Sequence, residues 1–147
     1  MSEAFDANAS WIHEKRNLDA SVAIGASDST SNNLDTFEAD VSYIIEQTWA
    51  TSVGVFNING SSNHLMFTPG PVNGSASGSP TSGGYTFRLE WIPFGKIGSF
   101  ASPFVNARVG LQYTGYWRFN GGSTNYDGFG RSAHDNNYVF LYTWLAF

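Results

Sequence analysis

Residues 104–120 read FVNARVGLQYTGYWRFN, a run in which apolar and polar side chains alternate with a period of two. The odd positions include Val105, Ala107, Val109, Leu111, Tyr113, Trp117 and Phe119, whereas the even positions include Asn106, Arg108, Gln112, Thr114, Arg118 and Asn120. Successive side chains of a β-strand point to opposite faces, so this pattern predicts a strand with one apolar and one polar face. Strands of soluble proteins are usually about 5 to 6 residues long. A tilted strand that crosses a bilayer needs about 9 to 11.

The same alternation returns in other parts of the chain. It predicts strands at residues 5–14, 18–24, 37–46, 49–55, 85–91 and 138–147, the first being the weakest. The segment 18–24 is included because Leu18, Ala20, Val22 and Ile24 alternate with Asp19, Ser21 and Ala23. Together with residues 104–120, the sequence therefore predicts about seven strands in a single domain, residues 1–147.

The connections between these segments are of two kinds. Long loops rich in Gly, Ser and Asn are predicted at about residues 26–35, 57–84 and 120–137. Short turns are predicted at 14–17 and 46–48, and a connection of intermediate length at 94–103. Long and short connections alternate, as they do in outer-membrane barrels with long extracellular loops and short periplasmic turns.

Composition narrows the class of protein. Aromatic residues make up 16 % of the chain and charged residues only 13 %, while mean hydropathy is close to neutral at -0.21. A barrel with one lipid-facing and one water-facing side has this balance. Because the chain has no cysteine, it can form no disulfide, thiolate metal site or covalent haem attachment of its own. A net charge of -5 argues against nucleic-acid binding.

The chain ends on a strand whose last residue is Phe147, with no polar tail. Soluble domains usually end in polar residues, whereas a strand facing lipid stays apolar to its end. No apolar run approaches the roughly 20 residues of a membrane-spanning helix, and Met1, Ser2 and Glu3 do not resemble a signal peptide. The predicted fold class is all-β: an antiparallel transmembrane β-barrel with an up-and-down meander, or the C-terminal part of one.

Several segments resemble the C-terminal part of a proteobacterial outer-membrane β-barrel family, porin-like proteins often loosely labelled cytochrome-related. The resemblance is carried by WIHE at 11–14, SY at 42–43, GVFNING at 54–60, GYTFRLEWIPF at 84–94, RVGLQY at 108–113 and the ending YTWLAF at 142–147. It implies a porin-like barrel without haem of its own and says nothing of a substrate. Family members are much longer than this chain, and bacterial single-chain barrels have an even number of strands. The sequence therefore leaves three possibilities open: a fragment, a missed strand or a barrel shared by several chains.

Two sets of residues are candidates for functional roles. The predicted pore-lining residues, which take the parity opposite to the lipid-facing side chains, are Asp19, Glu38, Asp40, Glu46, Arg88, Glu90, Arg108 and Arg118. The predicted membrane-interface residues are Trp11, Trp49, Trp91, Trp117 and Phe147. The charged set either lines a water-filled lumen, where it orients small polar solutes, or pairs internally to fill a small barrel.

The last strand has no polar face, because Tyr138, Phe140, Tyr142 and Trp144 occupy its even positions. These rings are predicted either to form a slide for sugars or aromatic compounds or to pack against an interior loop or a partner.

No catalytic motif is present, and no enzyme activity or cofactor is predicted. His13 and Glu14 read as a solvated turn pair, and the Asp and Asn side chains of loop 125–136 read as turn formers in preference to calcium ligands. The expected function is a passive porin-like channel for small polar solutes in the outer membrane of a Gram-negative bacterium. A sheath around a redox or other partner protein and a soluble β-sandwich binding module are the alternatives. Expected partners are the lipid bilayer, the barrel-assembly machinery acting on the C-terminal strand, and further copies or the remainder of a longer barrel.

Overall fold

A computed structural model describes residues 3–96, 98–101 and 104–147 of the chain. It contains six strands, which form one antiparallel sheet in the order of the sequence. The strands are β1 (Ala4–Asn17), β2 (Ser31–Ile45), β3 (Trp49–Gly60), β4 (Ser82–Trp91), β5 (Asn106–Arg118) and β6 (Tyr138–Ala146). The prediction of an all-β antiparallel meander is confirmed. The sheet is not closed into a barrel: within the described residues each strand pairs only with its neighbours in sequence, so β1 and β6 are its edges.

Six of the predicted strands are present, and one is wrong. Residues 18–24 form a short helix, α1 (Asp19–Ala23), in the connection between β1 and β2. The short turn predicted at 14–17 is also wrong, because β1 continues to Asn17, which pairs with Ser31. His13 accordingly lies within a strand, where its Nδ1 is 2.8 Å from Oδ1 of Asp35. The strand predicted at 18–24 is too short for its pattern to distinguish a strand from a turn of helix. The turn predicted at 14–17 is absent because these residues pair with β2.

Strand register keeps the parity of the sequence across the sheet. Phe5 pairs with Tyr43, Val41 with Val53, and Leu111 with both Leu89 and Leu141. Odd positions of all six strands therefore share one face, called here the odd face, and even positions share the other, called the even face. The one register shift in the sheet as described lies between Gly83 and Gly84, opposite the end of β5.

The two faces differ in exposure. Val53, Phe87 and Leu111 on the odd face are 45–50 % exposed, although they lie in the middle of the sheet. Glu90 and Thr114 on the even face are only 6 % and 2 % exposed. No second sheet covers either face among the described residues. Neighbouring side chains such as Tyr142, and the connection 119–137, which packs against β5, cover part of the sheet. The even face is therefore the more covered of the two faces.

The connections alternate in length along the described chain, as the sequence predicted. Residues 61–81 and 119–137, the two longest connections, lie at one end of the sheet together with 18–30, whereas 46–48 forms a tight turn at the other end. The connection 92–105 lies at that same end, and part of the loop predicted at 94–103 (Ile97, Ser102 and Pro103) falls outside the described residues. Among the helices that are described, none has the length and apolar character needed to span a membrane.

Candidate functional site: the even face of the sheet

Charge is unevenly distributed over the even face. The even positions of β1 and β2 are acidic on balance, with Asp6, Glu14, Glu38 and Asp40 against Arg16. Those of β4 and β5 are basic on balance, with Arg88 and Arg108 against Glu90. Between the two groups the face carries small side chains, and Ser42 and Ser52 hydrogen-bond each other across β2 and β3 at 2.8 Å. Because these small residues leave space between the acidic and the basic strands, the even face has an electric field directed across it.

A cluster of polar side chains lies at the basic end of this face. Glu90 accepts a hydrogen bond from Nη1 of Arg108 at 3.5 Å and a second, shorter one from the hydroxyl of Tyr142. Arg88 donates from Nε and Nη2 to Oε1 of Gln112, at 3.3 and 3.1 Å. Gln112 in turn donates to the hydroxyl of Thr114 at 3.3 Å. These hydrogen bonds link β4, β5 and β6 and hold the long side chains in place.

Strand register brings this cluster together. Arg88 faces Gln112 across β4 and β5, and Glu90 faces Gly110. Gly110 faces Tyr142 in turn, and a Cβ at this glycine would overlap the tyrosine ring. The missing side chain of Gly110 therefore lets the Tyr142 ring lie over β5 and its hydroxyl reach Glu90.

Five of the predicted pore-lining residues share the even face: Glu38, Asp40, Arg88, Glu90 and Arg108. Two predictions are wrong in placement. Asp19 lies at the start of α1, outside the sheet, and Glu46 lies in the turn between β2 and β3 with a positive φ of 48°. Glu46 pairs there with Lys96, whose Nζ lies 2.8 Å from Oε2, and this hydrogen bond lowers the pKa of the Glu46 carboxyl.

Arg118 is the last residue of β5 and pairs with Gly83, beyond the register shift. The alternation of the central sheet does not extend past this shift, so parity does not assign the Arg118 side chain to a face. It lies at the rim of the sheet, next to the long loops.

The predicted interface tryptophans occupy both ends of the odd face. Trp49 and Trp91 stack with ring centroids 6.3 Å apart at the end with the short turn. Trp117 stacks on Tyr85, also at 6.3 Å, near the long loops. Trp11 lies at that same end, level with Asn57 of β3 through Phe37. The path from Trp49 to Asn57 along β3 is about 27 Å long, or roughly 20 Å after a tilt of about 40°. Phe147 follows β6 and is fully exposed.

The most deeply buried residues lie in the long loops. The loops themselves were predicted from the sequence, but their burial was not. Tyr126, Asp127 and Ala133 are 0–1 % exposed. The Tyr126 hydroxyl donates to the carbonyl of Val72 at 2.7 Å, and the amide of Gly70 donates to the carbonyl of Asp127 at 3.1 Å. Loops 61–81 and 119–137 therefore form a joint core, called here the loop core.

The loop core connects to the even face through aromatic rings. Phe56 contacts Tyr116 at a centroid distance of 5.5 Å, Tyr116 contacts Phe119 at 5.1 Å, and Phe119 contacts Tyr126 at 5.0 Å. Phe56 of β3 and Tyr116 of β5 belong to the same row of the even face, because both pair with Gly84 of β4, which lies between them. The loop core is thus anchored at the end of the even face. The sequence shows Tyr126 and Asp127 in loop 119–137. It does not show that they are buried, because loop residues have no periodic pattern that marks burial.

The Asp127 carboxylate holds the loop core together. Burial raises its pKa, but the amides of Phe129, Arg131 and Val72 donate to it at 2.8, 3.2 and 3.4 Å. These hydrogen bonds outweigh burial, so the pKa of Asp127 lies below its ordinary value of 3.8. A lowered pKa means that the carboxylate stabilises the folded loops above that ordinary value and that this stabilisation is lost as the pH falls through the lowered one.

We expect Asp127→Asn to loosen the loop core, because its Nδ2 donor replaces the oxygen that accepts from the Val72 amide. Its remaining oxygen is neutral and accepts more weakly from the amides of Phe129 and Arg131 than a carboxylate does. Protease cleavage within loops 61–81 and 119–137 should become about tenfold faster at pH 7. In the unsubstituted protein, cleavage should accelerate only as the pH falls below about 4. Asp135→Asn is the control, because Asp135 is exposed and closes only one local turn. Equal cleavage of both variants would refute this role of Asp127.

The described residues contain no group of three or more His, Cys, Asp or Glu side chains arranged to hold a metal ion. Comparison with known proteins yields no match to a family model, a curated protein or a solved structure.

Proposed function

We propose that this chain forms part of the wall of an outer-membrane β-barrel that acts as a passive, porin-like channel for small polar solutes. One observation carries the proposal: the apolar odd face continues through all six strands and is exposed, while most charged strand residues lie on the even face. Large exposed apolar surfaces mark contact with lipid or protein. In a bilayer, the odd face would contact lipid and the even face would line water.

Three further features support this orientation. Aromatic residues lie at both ends of the odd face and flank an apolar band, as they do in outer-membrane barrels. The strands of 9–15 residues are long enough to cross such a band. The two longest connections, 61–81 and 119–137, share one end of the sheet, which we assign to the extracellular side. A soluble β-sandwich requires a second sheet against one face, and the described chain contains a single sheet.

The edges of the sheet place a condition on this proposal. β1 and β6 have no second strand partner among the described residues, and unpaired backbone groups are very costly in lipid. In the membrane, strands from further copies or from a longer polypeptide must pair with both edges. Because the number of strands is even, β6 of one copy is antiparallel to β1 of an identical neighbouring copy, so copies can pair edge to edge without a parallel contact.

The test uses membranes of the native source, an antibody against the β6 sequence and a denaturing gel run with and without boiling. We expect a band in the membrane fraction that shifts on boiling, and a steady conductance when the purified material is added to a planar bilayer. Boiled protein at 16.0 kDa would identify copies of this chain as the edge partners, whereas a much larger boiled band would identify a longer polypeptide. Recovery only in the soluble fraction would refute the membrane proposal. A folded membrane protein that does not conduct and carries haem absorbance would favour the sheath.

A further inference from the structure

We propose that the concavity between β4, β5 and β6 binds small organic anions that combine a carboxylate with a planar ring, such as aromatic carboxylates. This inference rests on the proposed function, because it requires the even face to line the water-filled lumen. The concavity has a volume of about 560 Å³ and is lined by Arg88, Glu90, Arg108, Gln112, Phe140 and Tyr142, together with neighbouring residues of β6. A ring with one carboxylate fits within this volume.

Charge favours an anion. The cluster contains two guanidinium groups, Arg88 and Arg108, and one carboxylate, Glu90. Arg108 pairs with Glu90, which also accepts the Tyr142 hydroxyl. Among the described residues no carboxylate lies within 4.0 Å of the Arg88 guanidinium, whose hydrogen bonds go to the neutral amide of Gln112. One positive charge therefore remains without a carboxylate partner.

The arrangement of Arg88 leaves donors for a ligand. Its Nε and Nη2 both donate to the same oxygen of Gln112, and a guanidinium has five N–H groups. The Gln112 contact orients the group and leaves its Nη1 side for an incoming carboxylate. Charge-assisted hydrogen bonds from arginine to a carboxylate are stronger than those between neutral groups. Arg88 is thus the residue that selects the charged end of the ligand.

Aromatic side chains form the opposite wall. Phe140 and Tyr142 stack with centroids 5.7 Å apart and an interplanar angle of 22°. Phe140 and Trp144, which lie on the same face of β6 on either side of Tyr142, are 54 % and 51 % exposed. Exposed ring faces gain free energy by stacking with another ring. Phe140 on β6 lies directly opposite Gln112 on β5. Because Gln112 is the hydrogen-bond partner of Arg88, the aromatic wall lies next to the charged one.

These two walls favour an aromatic carboxylate over a sugar or a simple inorganic anion. A sugar lacks the charge that matches Arg88, and an inorganic anion lacks the ring that stacks on Phe140. The acidic strands β1 and β2 repel anions from the other side of the face and direct them toward the basic cluster.

The test measures binding to the folded full chain in detergent by titration calorimetry, with benzoate as the probe. Acetate supplies the charge without the ring, and benzyl alcohol the ring without the charge. We expect benzoate to bind at least about tenfold more tightly than either. Arg88→Gln should weaken benzoate binding about tenfold, and Phe140→Leu should weaken benzoate but not acetate. Arg118→Gln removes the same charge at the rim and should leave binding unchanged.

Each outcome decides between the two proposals. Equal affinities for benzoate and acetate, or equal effects of Arg88→Gln and Arg118→Gln, would overturn the site. Retention of the heat-shifted band by each variant shows that a loss of binding is not a loss of folding. Conductance without selective benzoate binding would leave the channel in place and remove the site. Arg88-dependent binding without conductance would keep the site and remove the channel.

Discussion

Val53→Arg is expected to lower the free energy of unfolding in lipid vesicles by about 2–4 kcal/mol, the cost of a cation near the middle of a bilayer. Val53 lies at the centre of the odd face, halfway along β3 between the two aromatic ends, and pairs with Val41 and Phe87. It is 50 % exposed, so an arginine there meets no steric obstacle. In a soluble protein such a surface substitution costs about 0.5 kcal/mol or less. The measurement is urea unfolding of the vesicle-inserted protein, followed by the heat-shifted band.

The matched control is Asn57→Arg, which places the same side chain on the same face of the same strand. Asn57 is level with Trp11 at the end of the apolar band, where the cost of a cation falls to about 0–1 kcal/mol. A difference between the two variants therefore reports depth in the membrane. Equal and small effects at both positions would mean that water contacts the odd face, and the proposal of a transmembrane wall would be abandoned.

Gly84→Ala is expected to destabilise the sheet by about 3 kcal/mol or more, as a case of overpacking at a site that cannot relax. A Cβ at Gly84 would overlap the backbone carbonyl of Gly115 and lie 2.5 Å from Cζ of Phe56. The phenylalanine ring can move, but the carbonyl belongs to the neighbouring strand and cannot. We expect loss of most of the heat-shifted band at room temperature and a lowered midpoint of urea unfolding.

Gly54→Ala is the matched control, since Gly54 occupies the same face on the next strand. Its Cβ would lie 2.8 Å from Oγ1 of Thr86, and a hydroxyl group can rotate away, so we expect a cost of about 1 kcal/mol. The double variant Gly84→Ala with Phe56→Leu tests the assignment further. If shortening the ring restores stability, the ring and not the carbonyl causes the strain. Identical stability of Gly84→Ala and Gly54→Ala would contradict the close approach of β4 and β5.

Prediction from sequence succeeded where the period was long and the strand central. Residues 104–120 and 85–91 follow one parity over many positions, and both strands appear with the predicted faces. Prediction failed at residues 14–24, where the pattern was short. Leu18 is 8 % exposed and Val22 is 38 % exposed, an apolar pattern that suits one turn of helix as well as a strand.

The candidate site was predictable in part. Parity alone placed Glu38, Asp40, Arg88, Glu90 and Arg108 on one face, because side-chain direction follows from position in a strand. Parity did not predict that Arg108 and Tyr142 would both bond to Glu90, since these contacts depend on the register between β4, β5 and β6. Nor did it exclude Asp19 and Glu46, because the ends of strands are set by pairing and turn geometry.

The amino-acid sequence by itself determined the alternation of the two faces, the antiparallel meander and the lengths of most connections. These properties are local, since each depends on a period of two or on turn-forming residues within a few positions. Only the tertiary structure decided the register, the separation of acidic from basic strands, the Arg88 and Glu90 contacts and the loop core around Asp127. Those features bring together residues far apart in the chain, and backbone hydrogen bonds to buried polar groups leave no periodic signal in the sequence.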